Sequence, residues 1–445
     1  MGILDSWFGK KRDIIDNNGF EAHLGRFSDV YKTPDQYNAW DKSVEYFEKH
    51  EYEHSLIEFL HYLNNPDKDN VILNNQQNIK DGFELVQGSK SILGKIKNGR
   101  LLFTVEVAYV EHLHIGFMRR LLDLNYELKY VRYGLSDSQM ITLLFDTMME
   151  DAFPYKLYYA LKELALHADK HDDLLLNEFD FLKPISSHKL KPLSEKEKAF
   201  KLAYYRTILA QAMQQVEKGR LKPDQYPAAN SYILLAALYK LDYLIKPEGS
   251  LIDAIEKVHK SYFGPEQKNQ HQKLNQLSQE FAKLSRLTDP FISNDLYNGI
   301  FTFGVTSPAN MSMIKEIIER EFRNIGWYID NQYPEYAIAI VEYTVGLCLF
   351  NHAVPSVIRK LFTIVYRITE PDYFITIQNH PPLVDPRGQV DKQSIKTELT
   401  RIEKEYKSEY PALVLDSKLL SYESICHFVY SFVMMISRLS MSKSR

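Results

Sequence analysis

Residues 50–54 read His-Glu-Tyr-Glu-His and match the zinc-binding pattern in which two histidines flank a catalytic glutamate. On one helix, this spacing places both imidazoles on the metal and the glutamate beside the metal-bound water. Three features argue against a zinc hydrolase that uses His50, Glu51 and His54. Glu53 is charged where such helices carry uncharged residues, a turn is predicted across the segment, and no third ligand stands at the expected spacing. We therefore predict no metal and no cofactor, and keep the zinc hydrolase as the alternative.

Two further segments have residue types suited to ligand binding, but not the required spacing. Residues 88–96 resemble a phosphate-binding loop, yet five residues separate its glycines and Ile96 follows its lysine. The loop needs four residues there, and a Ser or Thr after the lysine. The acidic turn 167–173 reads as a solvated surface. Since no nucleophile motif is present either, we predict a protein that is not an enzyme.

The composition excludes several classes of protein. With 445 residues the chain has material for about two to four domains. A net charge of −4 argues against a dedicated nucleic-acid binder, which normally has a positively charged surface. Cys348 and Cys426 lie in apolar runs without metal or disulfide spacing. Together with the lack of a secretory signal or a long apolar run, this predicts a cytoplasmic protein.

Two segments of the chain follow the same order of predicted elements. Residues 103–107 and 301–305 both begin Phe-Thr and alternate apolar with polar or small residues, as half-buried strands do. In both copies we predict that a helix and two further strands follow, and that a helix then starts at Pro154 or Pro355. The pattern predicts a tandem duplication, which could form an internal pseudo-dimer.

The predicted fold class is therefore α+β, with two related antiparallel sheet-plus-helix modules separated by an all-helical insert and followed by a helical tail. Asn98-Gly99 predicts a tight hairpin in the first module, because both residues accept positive φ. The predicted boundaries are an N-terminal segment 1–35, a helical hairpin 36–66, module one 67–183, a helical insert 194–290, module two 291–378 and C-terminal helices 389–445.

This order of elements resembles the small α/β fold of type III secretion chaperones and the related YbjN-like proteins. Residues 121–125, Leu-Leu-Asp-Leu-Asn, and the acidic stretch 168–174 are similar to short sequence motifs in that group. The resemblance covers roughly residues 69–182. It covers residues 297–370 more weakly, because that part lacks the preceding strands and the Leu-Leu motif. It implies a binding module without catalysis, often dimeric, that holds an extended segment of a partner.

We thus expect a non-enzymatic, chaperone-like or adaptor protein that binds a protein partner of unknown identity, as an internal pseudo-dimer or a homodimer. The candidate contact residues, each of which could instead be core, are Leu121, Leu122, Tyr130, Ile317 and Tyr328. Residues 1–16 place apolar side chains beside a basic run, a pattern that could touch an anionic membrane surface. A membrane-surface scaffold is therefore a further alternative.

Overall fold

The computed structural model describes residues 24–74, 79–185, 190–378 and 380–442. The described chain begins with an extended segment and a pair of antiparallel helices, α1 (Pro34–Glu48) and α2 (Tyr52–Leu63). A capping box between Thr33 and Gln36 starts α1. Ser43 and Ser55 are buried between the helices, and each hydroxyl donates to the other residue's backbone carbonyl, at 2.7 and 2.8 Å.

An antiparallel sheet follows the helix pair. Its strands are β1 (Val71–Leu73), β2 (Phe83–Gln87), β3 (Lys90–Lys97), β4 (Arg100–Val110), β5 (Arg132–Leu135), β6 (Met140–Met148) and β7 (Leu182–Pro184). They are ordered β1-β2-β3-β4-β6-β5, with β7 paired to the far end of β4. Asn98 and Gly99 form the predicted hairpin between β3 and β4 with φ of 51° and 71°.

Two helices complete this sheet module: α3 (Ile115–Glu127) and α4 (Pro154–Glu178). Alternate residues of β4 and β6, such as Phe103, Val105 and Leu143, are buried in one core with Leu161 of α4. The opposite face of the sheet carries polar and charged side chains among a few exposed apolar ones, so only one face is fully covered. The α+β class expected from the sequence is confirmed.

The rest of the described chain is mainly helical and has a second core. Short strand pairs join β8 (Lys191–Pro192) to β9 (Tyr297–Asn298), and β10 (Ser307–Pro308) to β11 (His352–Ala353). The helices are α5 (Glu195–Lys218), α6 (Pro227–Ile245), α7 (Gly249–Phe263), α8 (Gln270–Ser285), α9 (Asp289–Asn294), α10 (Met311–Glu321), α11 (Ile325–Asp330), α12 (Pro334–Asn351), α13 (Ser356–Thr369), α14 (Pro371–Gln378), α15 (Lys392–Tyr406) and α16 (Ile425–Ser437). Helices α6 and α12 pack together at its centre and are buried around nearly their whole circumference.

The sheet predicted for the second module does not form, and this part of the prediction is wrong. Residues 301–305 lie outside any strand, and the region expected to hold two further strands contains α11 and α12. The apolar run of α12 has no helical or strand periodicity, because the helix is buried on all sides. Such a run is ambiguous between strand and helix in sequence. Residues 291–378 therefore do not repeat the sheet of 67–183.

The alternation at 301–305 has a different physical origin. This segment joins the sheet module to the mainly helical rest of the chain, which is called the helical body below; the two together are the two bodies of the molecule. Phe303 belongs to the core of the sheet module, although it is far from that module in sequence. The Gln87 amide oxygen accepts from the backbone N–H groups of Thr302 and Phe303, at 3.1 and 3.0 Å. Next to a single backbone bridge between Gly88 and Ile300, the Gln87 side chain thus binds the backbone groups that a neighbouring strand would otherwise pair.

Candidate partner-binding surface

One face of α3 is apolar and exposed to solvent. It consists of Ile115, Met118, Leu122 and Tyr126, with exposed fractions of 76%, 38%, 66% and 93%. Their spacing of three, four and four residues places them in one stripe along the helix. These four residues are called the α3 face below. Contiguous exposed apolar surface of this kind is characteristic of interaction sites.

The opposite face of α3 attaches the helix to the sheet module. Phe117, Leu121 and Leu124 are buried there. The Phe117 ring packs edge-on against Phe179 and Phe181, with centroid distances of 5.1 and 5.6 Å. Both faces of α3 are apolar. Packing against the sheet module explains the face with Phe117, Leu121 and Leu124, and leaves the α3 face exposed.

The loop after α3 is fixed by a carboxylate on α4. Glu163 accepts hydrogen bonds from the backbone N–H groups of Lys129, Tyr130 and Val131, at 2.9, 2.7 and 3.2 Å. This holds Tyr130, which is 41% exposed, just beyond the end of the α3 face. Tyr159 lies one turn before Glu163 on α4 and is exposed as well. Two exposed aromatic rings therefore flank the Glu163 contact, Tyr130 on the loop and Tyr159 on α4.

Asn125 of α3 occupies the edge of the sheet. Its side-chain oxygen accepts from the Tyr133 backbone N–H at 2.6 Å, and its side-chain nitrogen donates to the Tyr133 carbonyl at 3.2 Å. Tyr133 belongs to β5, the last strand in the order. The amide thus satisfies the backbone groups that a further strand would need, a recognised way of protecting a sheet edge.

The outer face of the sheet has a different character. Asp146 forms ion pairs there with Arg100 and with Arg132, the latter at 2.7 Å. Hydrogen bonds from Arg132 and Arg100 lower the pKa of the Asp146 carboxyl. Leu93 is exposed on this face, beside Lys95. This surface is mixed and charged, in contrast to the α3 face.

The structure separates the candidate contact residues into three groups. Leu122 and Tyr130 are exposed and lie on or beside the α3 face. Leu121 and Ile317, each 6% exposed, belong to the cores of the two bodies. Tyr328 is half-buried in the helical body, where it stacks on Tyr336 at 6.3 Å.

Sequence reasoning missed part of this surface. Tyr126 follows Leu122 by four residues, so the helical spacing alone could have added it. The roles of Glu163 and Asn125 depend on contacts between separate elements, and no local pattern indicates them.

The His-Glu-Tyr-Glu-His segment spans the turn between α1 and α2. Helix α1 ends at Glu48 and α2 begins at Tyr52, so His50 precedes the helix that carries His54. His50 has a φ of 62°, and its Nδ1 lies 2.9 Å from the Tyr52 hydroxyl, while His54 pairs with Glu51 at 3.1 Å. The two histidines therefore do not share the single helix on which that zinc motif depends.

A cavity of about 290 Å³ lies where the two bodies meet. Its cations are bound by its own carboxylates: Arg26 to Asp242 at 2.8 Å and to Glu256 at 3.0 Å, and Lys246 to Glu248 at 3.4 Å. Burial raises the pKa of the Asp242 carboxyl, and Arg26 acts in the opposite direction. The cavity is thus braced by internal ion pairs.

Two wider observations concern metal ions and membranes. Within the described ranges, no three His, Cys, Asp or Glu side chains are grouped so that they could hold a metal ion. No helix among the residues that the structure describes is long and apolar enough to cross a bilayer. Residues 1–16, for which membrane-surface contact was predicted, lie outside the described residues.

Comparison with known proteins assigns no family: no family model matches the chain, and no curated protein matches it.

Proposed function

We propose that the protein is a non-enzymatic adaptor that holds a helical segment of a partner protein on the α3 face. The observation that carries this proposal is the exposure of Ile115, Leu122 and Tyr126 on a helix whose other face is already packed. Full burial of Ile115 and Leu122 would contribute about 3–6 kcal/mol. Part of this gain offsets the freedom that two molecules lose on association.

The spacing of the α3 face favours a helix as the bound element. Apolar residues at intervals of three and four form the ridge that packs into the groove of another helix. An extended segment would instead add to the sheet edge and use its backbone hydrogen bonds. Asn125 already fills that role at Tyr133. The bound segment therefore differs from the extended one that the resemblance to secretion chaperones implies, while the binding function is the same.

The test is co-purification of the tagged full chain from its native host, with Leu122→Glu as the disrupting variant. Leu93→Glu is the matched control, since Leu93 is an exposed leucine on the outer sheet face. We expect one stoichiometric partner with the unmodified protein and with Leu93→Glu, and its loss with Leu122→Glu. Recovery of the protein alone, or a partner that both variants retain, would contradict the proposal.

Light scattering on the purified protein separates the heterologous partner from a second copy of this chain. We expect a monomer mass in the absence of the partner. A dimer that Leu122→Glu dissociates would show that the α3 face binds another copy instead, and would overturn the adaptor proposal.

A further inference from the structure

The cavity where the two bodies meet has the size and position of a small-molecule site. Its volume of about 290 Å³ is close to the lower end of the range of about 300–1,000 Å³ that ligand pockets occupy. Such pockets form preferentially between domains. Val305 lines the cavity and is exposed, so the cavity reaches solvent on that side.

Carboxylates outnumber cations among the residues that line the cavity, by five to three. Each of the three cations is already held by a carboxylate. Arg26 and Lys246 form the ion pairs that brace the cavity, and Lys170 binds Asp253 at 2.5 Å and Glu256 at 3.4 Å. A wall of this composition favours a positively charged ligand over a negatively charged one.

One carboxylate oxygen in this wall has no donor within the described part of the chain. It is Oδ2 of Asp253, on α7, which is buried and accepts no hydrogen bond from the described residues. The other oxygen of the same carboxylate, Oδ1, binds Lys170. A buried acceptor without a partner is rare in folded proteins and calls for a donor from outside the chain. Because Asp253 lines the cavity, a molecule inside the cavity can supply that donor.

The aromatic part of the wall already has ammonium groups over its rings. Phe27 and Phe301 stack with their centroids 6.0 Å apart. Lys68 Nζ lies 5.4 Å from the Phe27 centroid, and Lys246 Nζ lies 5.2 Å from the Phe301 centroid. The face of a phenyl ring attracts cations. The two rings therefore offer an apolar surface to methylene groups and add to the attraction for a positive charge.

We propose that this cavity binds a small organic cation, namely a primary alkylamine whose ammonium group donates to Asp253 Oδ2 and whose alkyl chain contacts Phe27 and Phe301. An ammonium group brings three donors and one positive charge. These match the acceptor that has no donor and the excess of carboxylates. The proposed site is separate from the α3 face, so it does not depend on the adaptor function.

The test measures binding of n-pentylamine to the full chain by isothermal titration calorimetry at pH 7. The neutral n-pentanol and the anionic pentanoate are the matched probes, since they have the same chain length. We expect saturable binding of one pentylamine, and at least about tenfold weaker binding of the other two, because hydrogen bonds to charged groups are about twice as strong as neutral ones. Equal affinity for the three probes, a preference for pentanoate or the lack of saturable pentylamine binding would overturn the proposal.

A variant locates the bound amine. Asp253→Asn keeps the shape of the side chain and removes its charge, so it should weaken pentylamine binding by about tenfold. Asp330→Asn is the matched control, since Asp330 is exposed at the end of α11 and does not line the cavity. Unchanged affinity in a folded Asp253→Asn protein would contradict the role of Asp253. The comparison of the three probes on the unmodified chain decides the proposal if this variant does not fold.

Discussion

The carboxylate of Glu163, on α4, accepts a hydrogen bond from the backbone N–H of Tyr130 at 2.7 Å. The same carboxylate bonds to the N–H groups on either side, so one side chain fixes the loop between α3 and β5. This contact sets the position of the exposed Tyr130 ring relative to the α3 face. The binding surface therefore depends on a residue that is not itself part of it.

Replacement of Glu163 by alanine should destabilise the sheet module by about 1–2 kcal/mol, because three backbone donors lose their protein acceptor. Urea denaturation followed by circular dichroism measures this change. Glu150→Ala is the control, since Glu150 is exposed and should change the free energy of unfolding by less than about 0.5 kcal/mol. Equal midpoints for the two variants would show that the loop does not depend on Glu163.

Leu121 and Leu122 are adjacent in sequence and should respond differently to truncation. Leu121→Ala removes a buried side chain and should cost about 2–4 kcal/mol of unfolding free energy. Leu122→Ala should cost less than about 0.5 kcal/mol, because Leu122 is mostly exposed. Thermal and urea unfolding of both variants measure the difference. A large loss of stability in Leu122→Ala would place Leu122 in the fold rather than on a binding surface.

Asp29 joins three parts of the molecule: the N-terminal extended segment, α4 and the segment that contains Gly304. Asp29→Asn removes the charge that holds Lys162, whose amine is mostly buried. Loss of one partner of such a pair should cost about 2–4 kcal/mol. The measurement is urea unfolding at pH 7, with the exposed Asp35→Asn as the control. An unchanged midpoint in Asp29→Asn would contradict its role as the junction.

The pH dependence of stability should contain a contribution from His259. The pKa of His259 is lowered to about 4, chiefly by burial and then by the charge of Arg26, with Glu256 raising it and Lys260 lowering it. The unfolded chain, with a pKa near 6.5, then binds the proton more readily. The folded state should therefore lose about 1–2 kcal/mol as the pH falls from 6.5 to 4, after allowance for the partial exposure of the ring.

The measurement compares the unmodified protein with His259→Gln at pH 7 and pH 4.5. Glutamine can still accept a hydrogen bond from the Tyr239 hydroxyl, which lies 2.7 Å from His259 Nδ1. The difference in unfolding free energy between the two proteins should shift in favour of the variant at the lower pH. Burial raises the pKa of Asp295 to about 6, and this group acts with the opposite sign in both proteins. A pH-independent difference would refute the contribution of His259.

The sequence was sufficient where local rules decide the structure. Asn98 and Gly99 adopt the positive φ that their residue types favour, and helices α5 to α8 lie in the stretch predicted to be a helical insert. It was insufficient where burial comes from another part of the chain. Phe303 alternates with polar or small neighbours because it enters the core of the sheet module, and not because it lies in a strand.

Prediction of the binding surface from the sequence has the same limit. The helical spacing of α3 predicts apolar residues on two sides, but only the packed structure shows that the side with Leu121 is covered and the side with Leu122 is open. The ion pair between Lys162 and Asp29 joins residues that are far apart in sequence. Such contacts leave no periodic signal, so the junction at Asp29 could not be predicted.

The most direct test of the account is site-specific photocrosslinking in the native host, with a benzophenone amino acid at position 122 of the full chain. The same probe at position 93, on the outer sheet face, is the matched control. We predict one discrete crosslinked protein at position 122 and none at position 93. No crosslink at position 122, or the same products at both positions, would contradict the assignment of the α3 face as a partner-binding surface.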